Sequence, residues 1–246
     1  MSDITHSGIV ATSSPAGQPI WILEGERTAY AFGIDGFGYV QHMYWGPRLR
    51  VASDYAEPGP ALERFSHERP GGVSQEEYPA WGDIKYMEPC LKVSFRDGVR
   101  AILLQFEQAT ILSDGEAPEL VISLVDEHYA LAVDLHYRVW GEYDLIERFA
   151  IIRNMGSSSV QLEQTLSALW HLPLNETYRL RTLGGRWGGE FQVSQVTLPL
   201  GKQVIESRRG ITSAHANPWF GIDRDGDASE SHGDVWFGAL AYSGNW

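Results

Sequence analysis

A strict two-residue alternation of side chains marks the middle of the chain. The apolar set is Leu131, Val133, Leu135, Tyr137 and Val139, and the residues between them are Ala132, Asp134, His136 and Arg138. Successive side chains of a β-strand point to opposite faces of the sheet, so the pattern predicts a strand with one face in a core and the other toward water. A helix would spread the same apolar residues around its circumference, and this stretch is therefore unlike a helix.

Similar patterns recur along the chain, separated by turn sequences. Further apolar series occur at 102–106 and 160–168. Sequences rich in Gly, Asp and Ser, which are typical of turns, occur at 96–98, 113–118, 153–159 and 223–227. No window of about 12 residues carries a convincing apolar stripe with the 3.6-residue spacing of a helix. The sequence therefore predicts an all-β fold, a large antiparallel β-sandwich.

The sequence also predicts where this domain begins. Residues 1–18 are rich in Ser, Thr, Gly and Ala, so we expect a flexible lead-in, with regular structure starting at Pro19. Sandwiches of this size form single units, and residues 19–246 are predicted to be one domain. The long polar passage Ser53–Trp81 exceeds the usual length of a loop; its best helix candidate lies at 60–68, and its aromatic and proline residues favour an ordered end.

Charge and cysteine content exclude some partners. Acidic residues outnumber basic ones by 32 to 19, for a net charge of -13, whereas a nucleic-acid-binding protein needs a basic face. No apolar run approaches the length of about 18 residues that crosses a bilayer, so no membrane partner is expected. The start has no basic cluster followed by an apolar stretch, and the single cysteine, Cys90, suits a reducing compartment; both favour the cytoplasm.

Aromatic residues are abundant, and two interpretations stay open. The chain has 9 Trp, 11 Tyr and 9 Phe. Flat apolar rings beside polar groups can stack on sugars, which would favour a carbohydrate-binding protein. All-β cores also use many aromatic residues, so composition alone does not choose between the two.

Known catalytic and metal-binding motifs are missing. The sequence has no HExxH, no paired Cys and His spacing, no GxSxG and no glycine-rich phosphate loop, so neither a metal nor a cofactor is predicted. The acidic sequence at 223–227 lacks the Gly and Glu positions of a calcium loop and favours a hairpin turn. The sequence GGRWGGEF at 184–191 favours a bulged hairpin with an exposed tip over a ligand site.

Four stretches together resemble the N-terminal region of glycoside hydrolase family 36, the bacterial and fungal α-galactosidases also called melibiases. They are GYVQHMYWGPRL at 38–49, QEEYPAWGDIKYMEPCLKVSFRDG at 75–98, LGGRWGGEF at 183–191, and ESRRGITSAHANPWF from 206 with the terminal YSGNW. The resemblance extends from about residue 20 through nearly the whole chain. It implies a β-supersandwich of the galactose-mutarotase-like type, packed against a (β/α)8 barrel.

In that family the barrel carries two catalytic aspartates. Neither of their sequence contexts occurs in these 246 residues, so the resemblance implies no catalytic residue here and no turnover by this chain alone. After a segment like YSGNW the family continues with further sandwich strands. We therefore expect a sheet that is incomplete at its C-terminal end.

The resemblance also points to two groups of site residues at the sugar rim or the barrel interface. In oligomeric members a loop of this domain reaches a neighbouring subunit's active site, which makes Asp54 a candidate, with Tyr44, Trp45 and Arg48 beside it. Gly46-Pro47 stands where many members carry Gly-Lys. The second group would face the barrel or its sugar pocket and consists of Arg208, Arg209, His215 and Asn217. Arginines that pair with acids across the interface are the structural alternative.

The resemblance implies the N-terminal domain of a retaining enzyme that releases terminal α-linked galactose from oligosaccharides. Its partners would be α-galactoside oligosaccharides, the catalytic barrel and further copies of itself. Two alternatives stay open. One is a free-standing galactoside-binding module that uses its tryptophans, and the other is a scaffold or oligomerisation domain without sugar contact.

Overall fold

The structure is a computed structural model that describes residues 4–6, 8–55, 75–82, 85, 87–173, 177–211 and 213–246. Contacts divide the chain into two compact units, Met1–Pro173 (unit 1) and Leu174–Trp246 (unit 2). All strand pairs within the sheets are antiparallel. The all-β prediction is confirmed. The helix candidate at 60–68 lies outside the described residues.

Unit 1 begins with a five-stranded sheet in which the strands follow chain order. Its strands are β1 (Ile4–His6), β2 (Ile9–Ser13), β3 (Pro19–Glu24), β4 (Thr28–Ile34) and β5 (Val40–Pro47). The prediction that regular structure begins at Pro19 is wrong, because β2 pairs along its whole length with β3 and buries Ile9 completely. The Ser, Thr, Gly and Ala content of residues 1–18 suggested a flexible segment. Ile, Val and Thr nevertheless favour strands even among small polar residues.

A four-stranded sheet faces the first one and completes the sandwich of unit 1. Its strands are β7 (Leu104–Leu112), β8 (Glu119–Asp126), β9 (Leu131–Trp140) and β10 (Leu145–Asn154), in the order β10-β9-β8-β7. Two more strands, β6 (Leu91–Ser94) and β11 (Gln161–Thr165), pair with each other. The alternation in β9 is confirmed, since all five of its predicted apolar residues are buried.

The core of unit 1 lies between the two larger sheets. Phe32 of β4 stacks on Tyr137 of β9 with 4.7 Å between ring centroids, and Trp21 of β3 lies 5.6 Å from Phe106 of β7. Aromatic pairs at these separations add to the stability gained by removing apolar area from water. The two sheets therefore form one continuous core.

The first sheet is buried on its outer face as well. Val10, Ile20, Ile22, Ala29 and Ala31 form a second apolar cluster there. The cluster is covered by residues 49–55, which include a 3₁₀ turn at Ala52–Asp54 and the buried ring of Tyr55. We call residues 48–55 the covering segment. Burial on both faces accounts for the nearly continuous apolar runs of β3 and β4.

Unit 2 is a single four-stranded sheet in the order β13-β12-β14-β15. Its strands are β12 (Tyr178–Arg186), β13 (Gly189–Thr197), β14 (Ala216–Arg224) and β15 (Val235–Ala239). The predicted hairpin at 184–191 is confirmed: β12 and β13 meet at Trp187-Gly188, and the Trp187 side chain is 89% exposed. Leu180 and Trp236 are the buried hydrophobic residues in the described part of this unit. In the described part of the chain, no helix is long and apolar enough to cross a membrane.

Candidate functional site

Strand β5 carries two of the predicted site residues, and a β-bulge sets their directions. The register shifts between Ala31, which pairs with Tyr44, and Phe32, which pairs with His42. The extra residue, Met43, breaks the simple alternation. His42 and Trp45 consequently both share a face with the core residues of β4, while Tyr44 lies on the outer face.

Trp45 packs inside unit 1. Its ring lies 5.2 Å from that of Trp170 and 5.8 Å from that of Tyr30. The Arg148 guanidinium lies 5.1 Å from the Trp170 ring, a cation–π contact. The prediction that Trp45 lies at the sugar rim or the barrel interface stays a prediction, and the described contacts of this ring are with the core.

Tyr44, on the outer face of the sheet, contacts the covering segment directly. Its ring meets Tyr55 edge to face at 5.2 Å, and its hydroxyl donates to the Pro47 carbonyl at 2.6 Å. The Tyr55 hydroxyl in turn accepts a hydrogen bond from the Leu49 backbone N–H at 3.0 Å. Burial raises the pKa of Tyr55 above its ordinary value, so this phenol stays protonated. The two tyrosines therefore fix both ends of the segment.

Arg48 and Asp54 differ in how much they are restrained. Arg48 forms an ion pair with Glu24 at 2.7 Å, and its backbone N–H donates to the Arg27 carbonyl. Asp54 is exposed at the end of the 3₁₀ turn, and its carboxylate makes no hydrogen bond or ion pair with any described residue. The Asp54 carboxylate is therefore free to bind a partner, and the segment that carries it is held in place by Arg48, Tyr44 and Tyr55.

Beneath Trp45 lies a buried ionic network that we did not predict. The Glu77 carboxylate is fully buried and accepts hydrogen bonds from the hydroxyls of Tyr30 at 2.5 Å and Tyr137 at 2.8 Å. Arg148 approaches the same carboxylate at 3.1 Å, and His42 at 3.4 Å. Each partner comes from a different strand, so the network joins both sheets to the segment that carries Glu77.

Burial alone would raise the pKa of Glu77. The charge of Arg148, the nearby His42 ring and the hydrogen bond from Tyr30 outweigh burial and lower the pKa to about 2. The Arg148 guanidinium also donates to the carbonyls of Leu169 at 2.6 Å and Glu77 at 2.7 Å. It therefore ties the segment around Trp170 to the segment around Glu77.

The neighbouring acid is paired as well. Glu76 and Lys85 form a second ion pair at 2.8 Å, and both side chains are only 4% exposed. The His171 ring bonds the Glu76 carbonyl at 3.0 Å and stacks on His42. Tyr78, two residues after Glu76, is also buried, which confirms the predicted ordered end of the polar passage.

The second group of predicted residues lies in unit 2, where the two arginines behave differently. Arg208 pairs with Glu206 at 3.1 Å, but the Arg208 side chain is 82% exposed. Arg209 is exposed and makes no ion pair or hydrogen bond with the described residues. Backbone bonds between Ser207 and Trp246, and a bond from Gly210 N–H to the Asn245 side chain, hold their turn in place. Both guanidinium groups are therefore accessible.

His215 and Asn217 lie at the start of β14, near the glycine-rich hairpin. The Gly185 N–H donates to the His215 carbonyl at 3.1 Å. The pKa of Glu190 is lowered, first by the Gly188 backbone N–H and, to a lesser extent, by His215. The imidazole and the Asn217 amide form no hydrogen bond with described residues.

Two other arginines of unit 2, Arg179 and Arg181, pair with one buried carboxylate. Asp223 of β14 is fully buried and accepts a hydrogen bond from Arg179 Nε at 3.1 Å, while Arg181 lies 3.2 Å away. The register places Arg179 directly opposite Asp223, and Arg181 two residues further along β12. The described residues contain no cluster that could hold a metal ion.

The chain matches the family description "Glycosyl hydrolase family 36 N-terminal domain" over residues 38–246. The chain belongs to glycoside hydrolase family 36. That match includes every site residue predicted above, in both units. It also includes Glu77, Arg148 and Asp223.

Similar family 36 proteins are named as α-galactosidases. The chain is 28% identical to α-galactosidase AgaA of Geobacillus stearothermophilus over 91% of its own length and 33% of that protein. It is 26% identical to α-galactosidase Mel36A of Lactobacillus acidophilus over 92% of its own length and 34% of that protein. The chain therefore spans about a third of the length of these relatives.

Solved family 36 structures have the same fold. The galactosidase domain of the α-galactosidase–sucrose kinase AgaSK aligns with a TM-score of 0.79 at 26% identity, over 96% of this chain and 35% of that one. A Geobacillus stearothermophilus AgaA variant, solved in complex with raffinose, aligns with a TM-score of 0.79 at 26% identity, over 92% of this chain and 34% of that one. The supersandwich predicted from the resemblance is confirmed.

Proposed function

We propose that this chain is the N-terminal part of a retaining α-galactosidase that hydrolyses terminal α-linked galactose in oligosaccharides such as melibiose and raffinose. A (β/α)8 barrel elsewhere in the same protein would carry the two catalytic carboxylates, which a retaining glycosidase places about 5 Å apart. This chain would supply a packing surface for the barrel and part of the rim of the sugar site. Alone, it would have no turnover.

One observation carries the proposal. The family match spans residues 38–246, and the relatives that it resembles are α-galactosidases about three times as long. A related enzyme was solved with raffinose, which supports galactosides as the substrate class.

The proposed rim residue is Asp54. Its carboxylate is exposed and makes no polar contact with the described residues, while Tyr44 and Tyr55 anchor the covering segment around it. A free carboxylate on a restrained turn can accept hydrogen bonds from sugar hydroxyls without a large ordering cost. In an oligomer, this segment would reach the sugar site of a neighbouring copy.

Arg208, Arg209, His215 and Asn217 are proposed to face the barrel. The side chains of Arg209, His215 and Asn217 make no hydrogen bond with the described residues, and Arg208 is held only by an exposed pair. Arginine forks suit carboxylates on an opposing surface. The cytoplasm is the proposed location, since Cys90 is a free cysteine, which suits a reducing compartment.

The test is hydrolysis of p-nitrophenyl-α-galactoside by this chain alone, by a separately expressed barrel, and by the mixture. We expect no turnover from the chain and recovery of activity on mixing. Turnover from this chain alone, after purification from a host without α-galactosidase, would overturn the proposal. Failure of the mixture together with failure of the joined full-length protein would also do so.

The role of Asp54 needs a matched variant. Asp54→Ala in the joined protein is expected to lower kcat/KM for raffinose at least about tenfold, as expected for loss of a charged hydrogen-bond partner. Asp114→Ala removes another exposed aspartate of unit 1 that has no described partner and should leave kcat/KM unchanged. Equal values for both variants would remove Asp54 from the site.

A further inference from the structure

A cavity of about 450 Å³ opens among three turns of unit 1. The turns follow β6, β8 and β10, and the cavity is lined by Phe95, Arg96, Asp97, Tyr129 and the residues Ser157–Ser159. Small-molecule sites usually have volumes of about 300–1,000 Å³. None of these residues belongs to the candidate groups described above, so the cavity has no assigned role.

Hydrogen bonds hold the three turns in place. The Tyr129 hydroxyl donates to Asp97 at 2.9 Å, which joins the first turn to the second. The backbone N–H of Met155 donates to the Ala130 carbonyl at 2.7 Å, which joins the second turn to the third. Within the third turn, the Asn154 amide donates to the Ser158 carbonyl and accepts from the Gly156 N–H. The cavity is therefore formed before any ligand arrives, which reduces the cost of binding.

The walls combine an aromatic surface with free polar groups. Phe95 and Tyr129 stack on each other at 3.9 Å, and both line the cavity. Arg96 has no ion-pair or hydrogen-bond partner among the described residues, and neither do the hydroxyls of Ser157, Ser158 and Ser159. An arginine offers donors, a carboxylate offers acceptors and each serine offers both. Such a set matches a ligand whose adjacent groups donate and accept.

The charges favour a neutral ligand over an anion. Arg96 is followed directly by Asp97, so the positive charge has a carboxylate beside it, and the whole chain carries a net charge of -13. A phosphate or another anion would meet repulsion from both sources. A sugar ring is uncharged, carries adjacent hydroxyls, and has an apolar C–H face that packs on aromatic rings.

We propose that this cavity binds one sugar ring of a galactoside oligosaccharide. The choice of galactoside rests on the proposed function, whereas the choice of a neutral polyhydroxylated ligand rests on the cavity itself. Arg96 and the serine hydroxyls bond the sugar hydroxyls, and the Phe95–Tyr129 pair supports the ring. Affinity for a single ring is in the millimolar range, because an open site buries little area.

Calorimetric titration of the whole chain with raffinose tests the proposal. We expect saturable binding, which Arg96→Ala weakens about tenfold through the loss of a charged donor. Ser158→Trp fills the cavity from an exposed position and should abolish binding. Arg27→Ala removes an exposed arginine of the same unit outside the cavity and should bind like the unmodified chain. Unchanged circular dichroism and thermal midpoints show that each variant is folded.

A second readout locates the sugar independently of mutation. Raffinose should shift the backbone amide resonances of Ser157–Ser159 and of Asp97, and sucrose or galactose should compete. Absence of binding by the folded chain, or equal binding by the Arg96→Ala and Arg27→Ala variants, would overturn the cavity site. So would amide shifts confined to other residues.

These outcomes distinguish a failure of the cavity proposal from a failure of the proposed enzyme function. If Asp54→Ala abolishes raffinose binding and Arg96→Ala does not, the cavity proposal fails while the proposed function gains support. If the chain binds raffinose in the cavity but neither its mixture with a barrel nor the joined full-length protein is active, the proposed function fails. In that case the cavity stands as the site of a galactoside-binding module.

Discussion

Each unit contains a buried carboxylate that is paired with arginine, but the exposure of the arginine differs between the two units. Unit 1 encloses the Glu77–Arg148 pair, with both side chains no more than 1% exposed, between two sheets. Unit 2 buries Asp223 equally, but its arginine partners, Arg179 and Arg181, are 14% and 25% exposed. A charge that is enclosed with its partner has no water to replace that partner. The comparison indicates that removing one arginine should have very different costs in the two units.

Apolar side chains are also more completely buried in unit 1 than in unit 2. Unit 1 buries Trp21, Tyr30 and Phe32 along with most of its aliphatic residues. Unit 2 leaves Trp187, Leu200 and Ile211 largely exposed, at 89%, 106% and 62%. Unit 1 is therefore stabilised chiefly by its own core, whereas unit 2 depends more on strand pairing and on the ion pairs of Asp223.

The largest expected effect is on unit 1. Arg148→Met leaves Glu77 buried without its cation, and we expect a loss of about 3–5 kcal/mol in the free energy of unfolding. Hydrogen exchange of the β9 and β10 amides in increasing urea measures it, since these amides report on unit 1 alone.

Arg153→Met is the matched control on the same strand. Arg153 pairs with Asp134 at 2.6 Å, but the Arg153 side chain is 38% exposed, so its loss should cost less than about 1 kcal/mol. Equal effects of the two substitutions would show that the enclosed pair is not special.

Acid should weaken unit 1 through Glu77. The folded pKa of about 2 lies below the ordinary value of 4.5, so the ionised carboxylate stabilises the fold above that ordinary value. This contribution, about 3 kcal/mol, is lost progressively as the pH falls toward the folded pKa. By about pH 3, roughly 2 kcal/mol of this contribution should be lost, and comparing unit 1 stability at about pH 6 and about pH 3 measures that part.

Glu77→Gln removes the titrating group and should flatten that part of the pH dependence. If the Gln variant and the original chain lose stability in parallel between the two pH values, Glu77 is not the group responsible. Measurement at constant ionic strength keeps surface charges from changing the comparison.

A smaller effect is expected in unit 2. Asp223→Asn keeps the shape but removes the charge, and water can reach both arginines, so we expect a loss of about 1–2 kcal/mol. Exchange of the β12 and β14 amides measures it. A loss as large as that of Arg148→Met would contradict the difference between the two units.

The smallest effect is expected at the hairpin tip of unit 2. Trp187→Ser should change the free energy of unfolding by less than about 0.5 kcal/mol, because the side chain is already in water. Trp21→Ser, in the core of unit 1, is the contrasting variant and should be severely destabilising. Marked destabilisation by Trp187→Ser would mean that unit 2 uses this ring for its own stability.

Local patterns were enough to predict much of the fold. The alternation in β9, the hairpin at Trp187 and the ordered end at Tyr78 each depend on a few consecutive residues. Strand β2 was missed because its small and polar residues resemble a flexible terminus until its pairing with β3 is known. Whether such a segment forms a strand depends on its pairing with a neighbouring strand, which composition does not reveal.

Long-range charge pairing could not be predicted. Glu77 and Arg148 are far apart in sequence, and nothing near either residue indicates that both are buried. Nothing in the sequence indicates the bulge at Met43 either, although this bulge decides that Trp45 faces inward and Tyr44 outward. The roles of Asp54 and of the unit 2 candidates came from the family resemblance, and they stay predictions.

The outer face of the first sheet has a consequence for how such a protein can be altered. In the described part of the chain, the covering segment closes that face, and Tyr44 and Tyr55 attach the segment to the sheet. The exposed positions of the segment can thus be substituted, while both tyrosines, Leu49 and Ala52 are kept and the sandwich beneath is left unchanged. Libraries that vary only Arg50, Val51, Ser53 and Asp54 would place new side chains at the proposed rim and keep Ala52, which packs on the apolar cluster.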